Sequence, residues 1–324
     1  TVSRTRRKRF STSSAEETRE RCSSNSADMN QRLFQAYVMV DWSAASKPTT
    51  GPDSIWVGVL KRNVRFQMAF EAHNPSTRVE AEKLLNSVLD DLKRKGERTL
   101  VGFDFPMSFP RGTAAALKLP GDPWRALMDF AAKEVKDKPD NTNNRFQVGA
   151  KMNRLMTGEA FPFWGAPARD EQTMLSAKRP REHGPNDLPE LRFADEAAKG
   201  ASSIWKLYYQ GSVGGQALTG LPVVKRLRDA RAVKMWPFET GWKPLTPADV
   251  ADVDAVFAEI YPSLYAAKPN AGEIKDQAQV RGACERFNAL DEKFQLGTVF
   301  GPAKDDKRRE AVEREEGWIL GANA

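Results

Sequence analysis

The sequence predicts an α/β fold in which helices flank one mixed sheet, and two observations carry that reading. Three strand-like runs follow one another across short connections, as antiparallel neighbours do. A long amphipathic stretch then leads to a fourth, almost wholly apolar run, which is the pattern of a crossover into a buried central strand. A hydrophobic content of 40% beside 29% charged residues is ordinary for a globular chain.

The first strand is read over Leu33–Asp41, an apolar run that ends in an acid. A polar, Ser-rich loop, Trp42–Asp53, leads into a second strand at Ser54–Leu60. Lys61–Asn63 then turns the chain into a third strand at Val64–Phe70. Thr77–Lys95 repeats its apolar residues (Val79, Leu84, Leu85, Val88, Leu89, Leu92) near a 3.6 period. Ser76 or Thr77 can cap its start and Gly96 its end. Thr99–Phe105 is the buried fourth strand.

This β-β-β-α-β order opens the ribonuclease H and actin/sugar-kinase architectures. A doubly wound nucleotide-binding sheet alternates strand and helix from its first strand instead. The expected fold is therefore an RNase H-like mixed sheet: an antiparallel meander of three strands, a crossover helix and further parallel strands. Residues 106–203 read as an insertion of helices and loops in the same domain, with one helix at Asp122–Val135 and room for a lid. Beyond it, the glycine-rich Gly211–Gly220 reads as a structural turn before an amphipathic helix from Leu221. Strands are expected at Val233–Trp236 and Ala255–Tyr261, and a last helix at Asp276–Leu290.

Residues 31–324 are read as that single domain. Residues 1–30 hold seven basic and four acidic side chains and almost nothing apolar, so they form a basic tail without a core. Met29 directly precedes the first apolar run, which favours a segment lying upstream of the true translation start over a basic arm for nucleic acid. The tail accounts for +3 of the net charge of +7, and the mildly basic remainder permits a polyanionic partner without requiring one. No run approaches the roughly 20 apolar residues of a membrane span, and no apolar stretch follows the basic start as a secretory signal would need. Two cysteines, Cys22 and Cys284, make neither a disulfide framework nor a zinc site. A cytoplasmic protein without a membrane partner is expected.

The chemistry centres on acids. Tyr37-Val-Met-Val-Asp41 and Leu100-Val-Gly-Phe-Asp104 each deliver a carboxylate to a strand's C-terminal end, where open α/β sheets bind ligands. Ala255-Val-Phe-Ala-Glu259 sets Glu259 inside a strand, and Asp276 falls in the first turn of the last helix. Grouped carboxylates repel one another unless a cation intervenes, and hard ions such as Mg²⁺ or Mn²⁺ select oxygen ligands. Against this, a lone strand-end Asp often only caps a turn, and Asp276 would serve equally as a helix N-cap.

Val40-Asp-Trp-Ser43, Gly102-Phe-Asp-Phe-Pro106-Met, Gly211-Ser-Val-Gly-Gly-Gln216, Glu259-Ile-Tyr-Pro262 and Lys275-Asp276 occur in the order seen in the family called domain of unknown function 429. The chain resembles that family over about residues 34–291. The resemblance implies an RNase H-like fold, a nuclease-type activity, and Asp41, Asp104, Glu259 and Asp276 as catalytic and metal-binding acids. Family members often carry a second Asp near the start of the last helix, where this chain has Gln277-Ala-Gln-Val-Arg281.

The leading expectation is a divalent-metal-dependent nuclease or phosphoester hydrolase acting on nucleic acid or a phosphorylated small molecule. An ATP-dependent phosphotransferase is the alternative, because Asp41-Trp-Ser-Ala-Ala-Ser46-Lys47 resembles the first phosphate loop of actin-like ATPases and sugar kinases. On either reading Ser43, Gly214 and Gly215 are candidates to hold a phosphate. A non-catalytic binding protein on the same fold is the third. Trp164, Trp205, Tyr208 and Tyr209 could stack on bases but read more simply as core. His73 and His183 have no sequence partner that would make a nucleophilic triad.

Overall fold

The computed structural model describes residues 31–265, 267–302 and 304–322; the basic tail and Cys22 lie outside the described residues. Six strands form one sheet: β1 (Ala36–Asp41), β2 (Trp56–Arg62), β3 (Met68–His73), β4 (Thr99–Phe103), β5 (Val233–Met235) and β6 (Ala255–Glu259). Their spatial order is β3-β2-β1-β4-β6-β5. β1, β2 and β3 pair antiparallel, while β1–β4, β4–β6 and β6–β5 are parallel. The mixed α/β sheet is thus as expected, with the two acid-bearing strands β1 and β4 adjacent at its centre.

Alternation along the strands separates two cores. Val38, Val40, Val101, Phe103 and Phe257 face one side, where they meet Ala81, Leu85, Leu89 and Leu92 of helix α1 (Arg78–Arg94). Tyr37, Met39, Leu100, Val256 and Ala258 face the other, against Val280, Ala283, Cys284 and Phe287 of the long C-terminal helix (Lys275–Glu292). Each such large apolar side chain taken from water contributes about 1.5–3 kcal/mol before the entropy of ordering it. Asp291 fixes the entry to β1 by accepting hydrogen bonds from the N–H groups of Leu33 and Phe34 and from the Tyr37 hydroxyl.

The insertion contains helices α2 (Pro123–Glu134) and α3 (Arg145–Met156), and its Trp124, Phe146 and Phe163 join the first of these cores, as does Trp205 just after it. Among the described residues no helix is long and apolar enough to cross a membrane.

Most element ends shift by one to three residues, and two boundaries differ by more. The third strand begins at Met68 rather than Val64. The Asn63 side chain accepts the N–H groups of Arg65 and Gln67, and Phe66 adopts φ 59°, so Val64–Gln67 is a tight turn with Val64 and Phe66 exposed. The glycine-rich segment is not a turn before a helix at Leu221 but the first half of helix α4 (Val213–Asp229). Its glycines suit close packing: a Cβ on Gly214 would collide with the Ile204 carbonyl, and one on Gly220 with the Phe105 ring. Intrinsic helix propensity is overridden there by tertiary contact. The C-terminal helix, Lys275–Glu292, is α5.

Candidate carboxylate site

Val40 lies opposite Phe103 in the parallel β1–β4 register, and Asp104 N–H donates to the Val40 carbonyl at 3.1 Å. The next pair in register is Asp41 and Asp104. Alternation turns both towards the face covered by α5, because Met39 and Leu100 already point there. Both acids are half-buried. The Asp104 Oδ1 accepts the Trp42 N–H at 2.7 Å, which locks the second carboxylate against the backbone that follows the first.

Burial raises the Asp41 carboxyl well above the usual range, and the Asp104 charge and the hydrogen bond between the two side chains raise it further. Asp276 and Asp53 add smaller like-charge effects. Burial also raises Asp104, to about 7, although the bonds from Asp41 and the Trp42 N–H oppose it. Burial and mutual repulsion thus favour a protonated form of the pair, which titrates as a unit.

Asp276 occupies the second position of α5, whose N-cap is Ile274, so it is not the capping residue. Its Oδ2 accepts the Asp53 N–H at 2.7 Å, tying the helix start to the end of the loop after β1. Its charge is felt by both Asp41 and Asp104. Sequence reasoning passed over Asp53; its only signal was an acid closing the Ser-rich loop. Among the described residues no three His, Cys, Asp or Glu side chains converge closely enough, as they stand, to hold an ion together.

Glu259 does not join the group. Its neighbour in register is Phe103, one residue short of Asp104, so alternation turns it away. It is buried, accepts the Met107 N–H at 3.0 Å, and takes two bonds of 2.7 and 2.6 Å from Arg192, which also pairs with Asp195. Burial raises its carboxyl and Arg192 opposes that rise. Its surroundings are those of a structural ion pair.

The candidate phosphate-binding residues are otherwise engaged. Ser43 Oγ donates to the Asp53 carbonyl at 3.4 Å and accepts the Ala45 N–H. Gly214 and Gly215 donate their N–H groups to the Lys206 and Ser212 carbonyls at 3.1 and 3.3 Å. Of the four aromatics, Trp205 is fully buried as expected, whereas Tyr208 and Tyr209 are 38% and 50% exposed. Arg281 is held by Glu273 and Glu285.

Compared with known protein families, curated proteins and solved structures, the chain matches none. The chemistry of the site follows from its geometry.

Proposed function

We propose that this protein is a divalent-metal-dependent phosphoester hydrolase of RNase H-like fold, acting on nucleic acid, with Asp41 and Asp104 as the central metal-holding carboxylates. The antiparallel meander, the crossover α1 and the adjacent acid-bearing central strands support the fold reading. The observation that carries the activity is the pairing of two half-buried carboxylates, Asp41 and Asp104, at adjacent positions of the β1–β4 register. Like charges placed together away from water must be neutralised, and a cation does so as well as a proton.

The residues fit such an ion. Mg²⁺ is commonly held by one or two carboxylates, with waters and substrate oxygens completing its shell, so a pair suffices without a third converging acid. Bound there, it would supply activation of water and neutralisation of the leaving oxygen. The chain's own contribution is positional. Trp42 N–H fixes Asp104, the strand register fixes Asp41 beside it, and Asp276 with Asp53 adds negative charge at the rim.

The test is cleavage of single-stranded and duplex DNA and RNA in Mg²⁺ or Mn²⁺, with EDTA as control. Cleavage lost in Asp41→Asn and Asp104→Asn proteins of unchanged circular dichroism supports the proposal. A metal-independent activity, or one indifferent to both substitutions, overturns it.

A further inference from the structure

The loop Trp42–Ser46 leaves the carboxylate pair and runs past the starts of three helices. Arg78, the first residue of α1, donates to the Ser43 and Ala45 carbonyls at 3.0 and 2.8 Å. Arg145, the first residue of α3, donates to Ser46 Oγ at 3.0 Å. The first turn of α4 closes the third side: Gln216 Nε2 donates to the Trp42 carbonyl, and a Cβ on Gly215 would lie 3.2 Å from Ala44 Cβ and 3.4 Å from Arg145 Nε. Helix starts carry partial positive charge and favour acids, yet two of these three begin with an arginine.

Arg78 is neutralised by Asp137. Arg145 is not. It is 4% exposed, its Nε is buried without a hydrogen-bond partner, and its bonds go to the neutral side chains of Ser46 and Asn143. Burial and the Arg78 charge lower its affinity for its own proton, to about 10. A buried cation without an ion-pair partner costs several kcal/mol unless an anion meets it. Beside it the Arg145 guanidinium lies over Phe146, whose ring meets Tyr208 edge-on at 6.1 Å; Tyr208 in turn lies 4.8 Å from Tyr209. Tyr209 holds φ 73°, a conformation disfavoured for a residue of its size, and both rings remain exposed.

We infer that Arg145, where the start of α3 meets α4, forms a subsite for a phosphate group of a nucleotide-containing substrate, with Tyr208 and Tyr209 stacking on its base. Arginine meets a phosphate through paired N–H donors, and exposed aromatic rings stack on bases without regard to sequence. Ser46 lies five residue steps beyond Asp41, a reach of at most about 18 Å. The subsite therefore suits a phosphate one or two nucleotides from the scissile one. The inference rests on the nuclease reading for its purpose, but its measurement does not.

Calorimetry in EDTA, with thymidine 5′-monophosphate, inorganic phosphate and thymidine as probes, separates the two. The monophosphate should bind tighter than inorganic phosphate, and thymidine weakest. Arg145→Gln should weaken monophosphate binding at least about tenfold, the loss of one or more charge-assisted bonds. Tyr208→Ala with Tyr209→Ala should bring it down to the level of inorganic phosphate. Arg145→Lys keeps the charge without the fork and should fall between, and it decides the matter if the glutamine protein does not fold. Equal affinity of wild type and both Arg145 variants, or no preference for the monophosphate over thymidine, overturns the inference. Because no divalent ion is present, a failed cleavage assay leaves this result standing, and the reverse also holds.

Discussion

Asp41 and Asp104 stand side by side at the ends of adjacent parallel strands, one register step beyond Val40 and Phe103, where burial pushes both carboxyls above the usual range. Two apolar strands that each end in an acid become one site because the sheet is parallel at that seam and their ends coincide.

The first expectation concerns pH. Asp41 and Asp104 are both raised above their unfolded values, so the folded state binds more protons than the unfolded one. Their contribution is fully present below the ordinary Asp range, about pH 4, and is lost as pH rises through about 7 for Asp104. Melting temperature in EDTA should fall across that window, and Asp41→Asn should flatten the slope. A profile that is the same in wild type and variant would show that the pair is not held as described.

Glu259 should behave as a structural residue. Glu259→Gln removes one partner of the buried Arg192 and should destabilise the protein by about 3 kcal/mol in chemical denaturation. Metal affinity of the folded fraction should not change. A Glu259→Gln protein of normal stability that has lost metal binding would return Glu259 to the site.

Gly214→Ala should destabilise by about 1–3 kcal/mol, because the added methyl group meets the Ile204 carbonyl, which is backbone and cannot swing aside. Thermal denaturation measures this. An unchanged melting temperature would contradict the close seat of α4.

Phe66→Asn should stabilise by about 0.5–1 kcal/mol. Phe66 is 82% exposed and holds φ 59°, so its ring adds little while its backbone is strained, and Asn tolerates that region. Denaturant midpoints of the two proteins decide it.

The sheet and its acids were legible because alternation and apolar runs report burial directly, and Asp41 and Asp104 each close such a run. Glu259 looked equivalent, but which neighbour a residue meets depends on register between strands far apart in sequence. The α4 start was misread for a different reason. Gly211–Gly220 has a turn's composition, and only contact with Ile204 and Phe105 shows why glycine is needed in a helix there. Arg145 had one overlooked signal, a basic residue opening a helix where an acid is favoured.

The most direct measurement is calorimetric titration of the EDTA-stripped protein with Mn²⁺ at about pH 6, 7 and 8, in buffers of different ionisation enthalpy. A cation that replaces a proton on the pair should release about one proton per ion near neutrality, and bind more tightly as pH rises through the Asp104 value of about 7. Asp41→Asn and Asp104→Asn should each abolish the binding. Absence of Mn²⁺ binding by the wild-type protein, or binding that neither pH nor the two substitutions alters, would contradict the carboxylate pair as the metal site.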